Sequence, residues 1–141
     1  MRLWDTSALL SLLLGQKATA TLKEILAADR ALVLWWGTKV EAVSALSRLR
    51  RTGQLEQSSA DRALKEIESL TSAAHEVQPT EEVRNTACRL LRVHELRAAD
   101  ALQLAAALVW TEHQPLGAGF VCLDERLCQA AAREGFDVLP A

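Results

Sequence analysis

Six consecutive apolar residues, Ala31 to Trp36 (ALVLWW), stand between Asp29–Arg30 and Gly37. The run has strand length and no polar alternation. That is the pattern of a strand covered on both faces, as in a parallel sheet between helices. Such a strand obliges the rest of the chain to supply a helical layer on each side.

The remaining sequence offers those layers. "RLW" reads as a short strand running into a helix over Ala8–Leu14, with Thr6 or Ser7 as its cap and Gly15 as its stop. A helix follows at about Thr19–Ala28, with Leu22, Ile25 and Leu26 on one face. Beyond the apolar run, helices are predicted over Lys39–Arg51 and Ala60–Ala73, and "HEVQP" is a further strand candidate. Thr80 caps a helix from Glu81 to about His94. The next helix is entered at Arg97–Asp100. "GFVCLD" (Gly119–Asp124) is a strand, "ERLCQAAARE" a helix closed by Gly135, and "FDVLP" a last strand. Strands alternating with helices or helix pairs predict an α/β fold, three layers deep, around a mostly parallel sheet of about four to five strands. The 141 residues fit one domain, with no repeat or linker.

The helix ending at Trp110 poses a chemical problem. Between Ala98 and Trp110 its only polar side chains are Asp100 and Gln103, so it is apolar nearly all round and destined for burial. Asp100 shares a stripe with Leu104 and Leu108, which turns it inward. A carboxylate taken from water needs a partner, hydrogen bonds or a metal.

Other acids converge on the same place. Ligands of open α/β sheets bind beyond the carboxyl ends of the strands. Asp5 ends the first strand, Asp124 ends "FVCL", and Glu41 falls in the first turn after the second strand. The helix headed by Asp100 leads through Gly117 and Gly119 into the Asp124 strand, which returns its N-terminus to that edge. Four carboxylates together repel one another unless some stay protonated or a cation joins them. Oxygen donors without paired histidine or cysteine suit Mg²⁺ or Mn²⁺, and phosphodiester hydrolysis is the matching chemistry. Each acid also has a purely structural role open to it. Asp5 and Asp124 can cap helices, "TKVE" can form a capping box through Glu41, and Asp100 can complement a helix dipole.

These residues lie in stretches that resemble the PIN-domain family, and within it the VapC-like toxins of type II toxin–antitoxin pairs. The matching stretches are "LWDTSALL", "TKVEAVSALSRLRRTGQL", "LRAADALQLAAAL" and "FVCLDERLCQAAAREGFDVLP", in the family's order over essentially the whole length. The resemblance implies a single PIN-like domain over residues 1–141 that is a metal-dependent ribonuclease. It implies Asp5, Glu41, Asp100 and Asp124 as catalytic Mg²⁺ or Mn²⁺ ligands, with Glu125 a lesser candidate for the fourth place. Ser7, or else Thr6, would support the site through its hydroxyl. It further implies an RNA substrate, a VapB-like antitoxin and a homodimer. A non-catalytic PIN-like module that binds RNA or protein is the alternative.

Other features restrict function less. The formal charge is −2 and the pI near 5.9, so no global basic field attracts nucleic acid. Arg48–Arg51 (RLRR) reads as favourable charge at a helix end, or as a contact for phosphate or antitoxin. His75, His94 and His113 have no partner at short spacing and read as surface residues rather than an acid–base pair. Trp35 and Trp36 either pack or shape a groove. Cys88, Cys122 and Cys128 make neither a C-x-x-C nor an even set, which fits a reducing cytoplasm. "ALLSLLLG" before "ATA" imitates a secretion signal, but Asp5 precedes it and Lys17 interrupts it. The run from Ala8 to Leu14 is also too short to span a bilayer, so no membrane is expected.

Overall fold

The computed structural model describes residues 1–141. In chain order the elements are β1 (Arg2–Trp4), α1 (Thr6–Leu13), α2 (Thr19–Ala28), β2 (Leu32–Trp35), α3 (Thr38–Arg51), α4 (Gln57–Ala73) and β3 (His75–Val77). They continue with α5 (Glu81–Val93), α6 (Ala98–Trp110), β4 (Gly119–Val121), α7 (Glu125–Glu134) and β5 (Asp137–Leu139). All neighbouring strands pair in parallel, in the order β3-β2-β1-β4-β5. The chain thus builds outward from β1 to one side, then returns to build the other.

Period-two alternation splits the core into layers. Leu3, Val33, Trp35 and Phe120 face a cluster that includes Leu90 of α5, Leu104 of α6 and Leu127 of α7. Trp4, Leu32, Leu34 and Val121 face the other side, against Leu9 and Leu12 of α1 and Leu22 of α2. Ala42 and Leu46 of α3 pack on Ala63 and Ile67 of α4 as an outlying cluster. The all-apolar reading of β2 is borne out, since all four of its residues are buried. No helix is long and apolar enough to cross a membrane.

The structure corrects several local expectations. Asp5, not Thr6 or Ser7, caps α1, taking the Ala8 N–H at 3.2 Å. The capping box of "TKVE" does not form, because Gly37 occupies the N-cap position with no side-chain bond and Glu41 is engaged elsewhere. α4 begins at Gln57, a turn ahead of Ala60. β4 stops at Val121, short of Asp124. Its chain leaves the ladder there because the Leu123 N–H turns to the Ser7 hydroxyl, 3.1 Å away. Finally, His94 is not a surface residue. Its ring is 5 % exposed and meets Glu134 Oε2 at 2.7 Å, where the ends of α5 and α7 come together.

Candidate metal centre

The strand order reverses between β1 and β4, and the position beyond their carboxyl ends is the usual ligand position in such sheets. Asp5 follows β1 directly, and its own N–H donates to Val121 O at 3.0 Å, which ties it to the end of β4. Glu41 projects from the first turn of α3, Asp100 from the first turn of α6, and Asp124 caps α7.

Asp5 is buried. Ser7 Oγ donates to its two carboxylate oxygens at 2.8 and 3.0 Å, while the Leu123 N–H bonds that same hydroxyl. Ser7 therefore locks the Asp5 carboxylate to the β4–α7 turn. Burial nevertheless pushes the Asp5 pKa up to about 6, outweighing the hydrogen bonds from Ser7 and Ala8. Glu41 is half-buried and also raised. Burial is the main cause, the Gln103 hydrogen bond opposes it, and the charges of Asp5 and Asp100 add to it. Asp100 is raised by burial and then by the charge of Asp124, with Arg97 opposing. Asp124 is exposed and bonds the Leu127 N–H at 2.9 Å. The four acids thus form a linked series in which Asp5 and Asp100 act on Glu41, and Asp124 acts on Asp100. None of them takes part in a salt bridge.

Gln103 is the residue that the sequence reading left without a role. It is fully buried. With its amide nitrogen assigned toward them, Nε2 lies 2.8 Å from Thr6 Oγ1, 2.9 Å from Thr38 Oγ1 and 3.1 Å from Glu41 Oε1. One amide thereby joins α6 to α1 and α3 and holds Glu41 inward. Its own Oε1 is buried without a partner. The signal was present in the sequence: Gln103 is the second polar residue of an apolar helix, three positions after Asp100 and so on its face. Thr38 had no such signal. Thr6 and Ser7 both serve the site, Thr6 through Gln103 and Ser7 through Asp5.

The donor set fits a hard divalent cation better than a soft one. All four acids offer oxygen. The Cys122 thiol stands near Asp5, but its hydrogen bond with Cys128 and its burial hold its pKa up, so it supplies no thiolate. No three acidic, histidine or cysteine side chains are gathered closely enough to enclose an ion by themselves. An ion such as Mg²⁺, which keeps several waters and takes one or two carboxylates directly, would not need such an enclosure. His94 and Glu134 lie at the far end of α7 from Asp124. The largest cavity, about 730 Å³, opens at the opposite edge among Met1, Leu26, Leu32, Leu70 and His75. Neither touches this centre.

A sequence model of the PIN domain matches residues 2–132. The chain belongs to the PIN-domain family. Solved structures agree on the fold. A Pyrobaculum aerophilum protein, PAE2754, is 25 % identical, with a TM-score of 0.66 over 96 % of this chain and 82 % of its own. A toxin–antitoxin complex from Klebsiella pneumoniae is 15 % identical, with a TM-score of 0.65 over 88 % of this PIN domain and 87 % of that chain. VapBC2 from Rickettsia felis, bound to a promoter DNA fragment, is 9 % identical, with a TM-score of 0.65 over 97 % of both chains. A search of curated proteins returns no match.

Proposed function

We propose that this PIN domain is a metal-dependent ribonuclease of the VapC-like toxin type, restrained by an antitoxin protein. The reading is supported by the pairwise influence of the four acids at the strand-order reversal: Asp5 and Asp100 act on Glu41, Asp124 acts on Asp100, and the pKa values of Asp5, Glu41 and Asp100 are raised. A site built to oppose its own charge is a cost to the fold that a cation removes. Family membership and the toxin–antitoxin descriptions of similar structures support the antitoxin, VapB-like in kind, as partner. A homodimer belongs to the same reading.

Asp5, Glu41, Asp100 and Asp124 would hold Mg²⁺ or Mn²⁺, with Glu125 the reserve for Asp124. The ion would acidify water and draw charge from the phosphoryl oxygens. Ser7 fixes both Asp5 oxygens. Gln103 holds Glu41 Oε1. Burial raises the pKa of Glu41 above the ordinary carboxylate value, which makes it a stronger base for the proton of the attacking water. The water oxygen bonds phosphorus, the P–O3′ bond breaks and the 3′ oxygen takes up a proton. Products then carry 5′-phosphate and 3′-hydroxyl ends.

The test is cleavage of single-stranded RNA by the purified chain, with analysis of the ends. Asp5→Asn and Asp100→Asn should each reduce cleavage at least a hundredfold, and chelator should abolish it. Full activity in chelator, or 2′,3′-cyclic phosphate ends, overturns the assignment.

A further inference from the structure

Two thiols meet at the turn that carries Asp124. Cys122 follows β4 directly and is buried, and Cys128 stands in the first turn of α7, partly exposed. Both pack in the same core cluster. Cys128 Sγ donates to Cys122 O at 3.4 Å, Cys122 Sγ donates to Asp124 O at 3.5 Å, and the two thiols hydrogen-bond each other. The Cys122 thiol also hydrogen-bonds the Asp5 carboxylate. The third cysteine, Cys88, is exposed on α5.

We propose that Cys122 and Cys128 form a reversible disulfide in the presence of a peroxide, and that this bond weakens metal binding at the carboxylates. The second half rests on the metal-centre reading; the bond itself does not. An oxidisable pair needs one accessible thiol and a second within its reach. Cys128 is the first and Cys122 the second. The Cys128 thiolate attacks one oxygen of hydrogen peroxide, the O–O bond breaks, and hydroxide leaves and takes up a proton as water. The Cys122 sulfur then attacks the sulfenic acid formed on Cys128. The S–O bond breaks, and the Cys122 proton leaves with that oxygen as a second water. Two thiols and one hydrogen peroxide give one disulfide and two waters, with two electrons passing from sulfur to peroxide.

The metal centre feels the bond because of what the new ring contains. Joining Cys122 to Cys128 encloses Leu123 and Asp124. The Leu123 N–H bonds the Ser7 hydroxyl that holds Asp5, and the Asp124 carboxylate bonds the Leu127 N–H. Cys122 is pinned from outside the ring, its own N–H donating to Leu139 O at 2.9 Å. A disulfide draws the sulfurs to about 2 Å, far inside the separation of two thiols, so the first turn of α7 yields rather than β4. Asp5 loses the Cys122 S–H donor at the same time. One bond thus disturbs the carboxylates at both strand ends.

The experiment treats the purified full chain with hydrogen peroxide at pH 8, removes the excess with catalase, and reads two quantities. The first is a non-reducing tryptic map. Peptides Ala98–Arg126 and Leu127–Arg133 should be joined after oxidation, and dithiothreitol should separate them. The second is Mn²⁺ affinity by calorimetry, with circular dichroism as the check on folding. Affinity should fall about tenfold on oxidation, return with dithiothreitol, and stay constant in peroxide-treated Cys128→Ser. Cysteines that oxidise only to sulfinic acid, or that pair through Cys88 between chains, overturn the disulfide. A mapped disulfide with unchanged Mn²⁺ affinity, or an affinity lost through unfolding, overturns control of the site and leaves the metal reading standing. A reduced chain that binds no Mn²⁺ overturns the metal reading and the control with it, while the peptide map still decides the disulfide.

Discussion

Asp5 is where stability and the proposed chemistry oppose each other. Its pKa of about 6 in the fold lies above the ordinary aspartate value of 3.8. Between those values the folded state binds the proton more tightly than the unfolded chain does. Metal-free stability therefore falls as pH rises from about 4 through 6, and the loss is complete above that range. A shift of this kind corresponds to a penalty on the order of 2–3 kcal/mol at neutral pH. Asp5→Asn keeps an oxygen for the Ala8 N–H and removes the charge. In chelator at pH 7.5 it should melt several degrees above the wild type, with the gain disappearing toward pH 4. An Asp5→Asn protein that melts at or below the wild type at pH 7.5 would show that Asp5 is not penalised by burial. Ser7→Ala should act in the opposite direction. It strips Asp5 of its hydroxyl donor and leaves the Leu123 N–H unpaired, a loss of about 1–3 kcal/mol visible as a lower melting temperature with or without metal. At Asp124 the cap and the charge can be separated. Asp124→Asn retains the bond to Leu127 and should hardly change stability, yet weaken Mn²⁺ binding, whereas Glu125→Gln should leave both unchanged.

At the level of elements, α6 shows what could be read in advance and what could not. Its span, burial and inward Asp100 follow from periodicity alone, and α2 was bounded correctly for the same reason. The Asp124 cap and the Thr80 cap were likewise legible, since each is a short polar side chain ahead of a periodic run. Two of the departures share one cause. At Glu41 and at the end of β4, a local pattern offered a bond that a distant residue supplied instead. Glu41 matched a capping box but turned to Gln103, 62 positions away. β4 was apolar to Leu123, but the Leu123 N–H went to Ser7, 116 positions away. Long-range polar contacts leave no periodic trace. Gln103→Leu tests how much this network matters. It deletes the amide that joins α1, α3 and α6 and removes the donor that holds the Glu41 pKa down. The variant should lose about 1–3 kcal/mol by thermal denaturation and bind Mn²⁺ about tenfold more weakly. Unchanged Mn²⁺ affinity would reduce Gln103 to a packing residue.

For the whole molecule, the all-parallel sheet and the position of β1 at its centre decide where charge accumulates. Building outward from β1 in both directions puts Asp5, after β1, and Asp124, after β4, at neighbouring strand ends, toward which the first turns of α3 and α6 bring Glu41 and Asp100. The fold must then tolerate mutual repulsion without a cation, or be relieved by one. A ligand that binds only the folded state adds stability as RT ln(1 + [L]/Kd), about 2.7 kcal/mol at a hundredfold excess over Kd. Saturating Mg²⁺ or Mn²⁺ should therefore raise the melting temperature at pH 7.5 by several degrees, and sodium chloride at equal ionic strength should not. The rise should shrink at pH 5, where Asp5 holds its proton and competes with the metal. It should also be largely lost in Asp100→Asn. The two effects on Asp5→Asn have opposite signs: this variant should start higher in chelator and gain least from metal. A metal response of equal size in wild type and both variants would place the ion elsewhere on the molecule and remove the physical basis for reading these four carboxylates as one site.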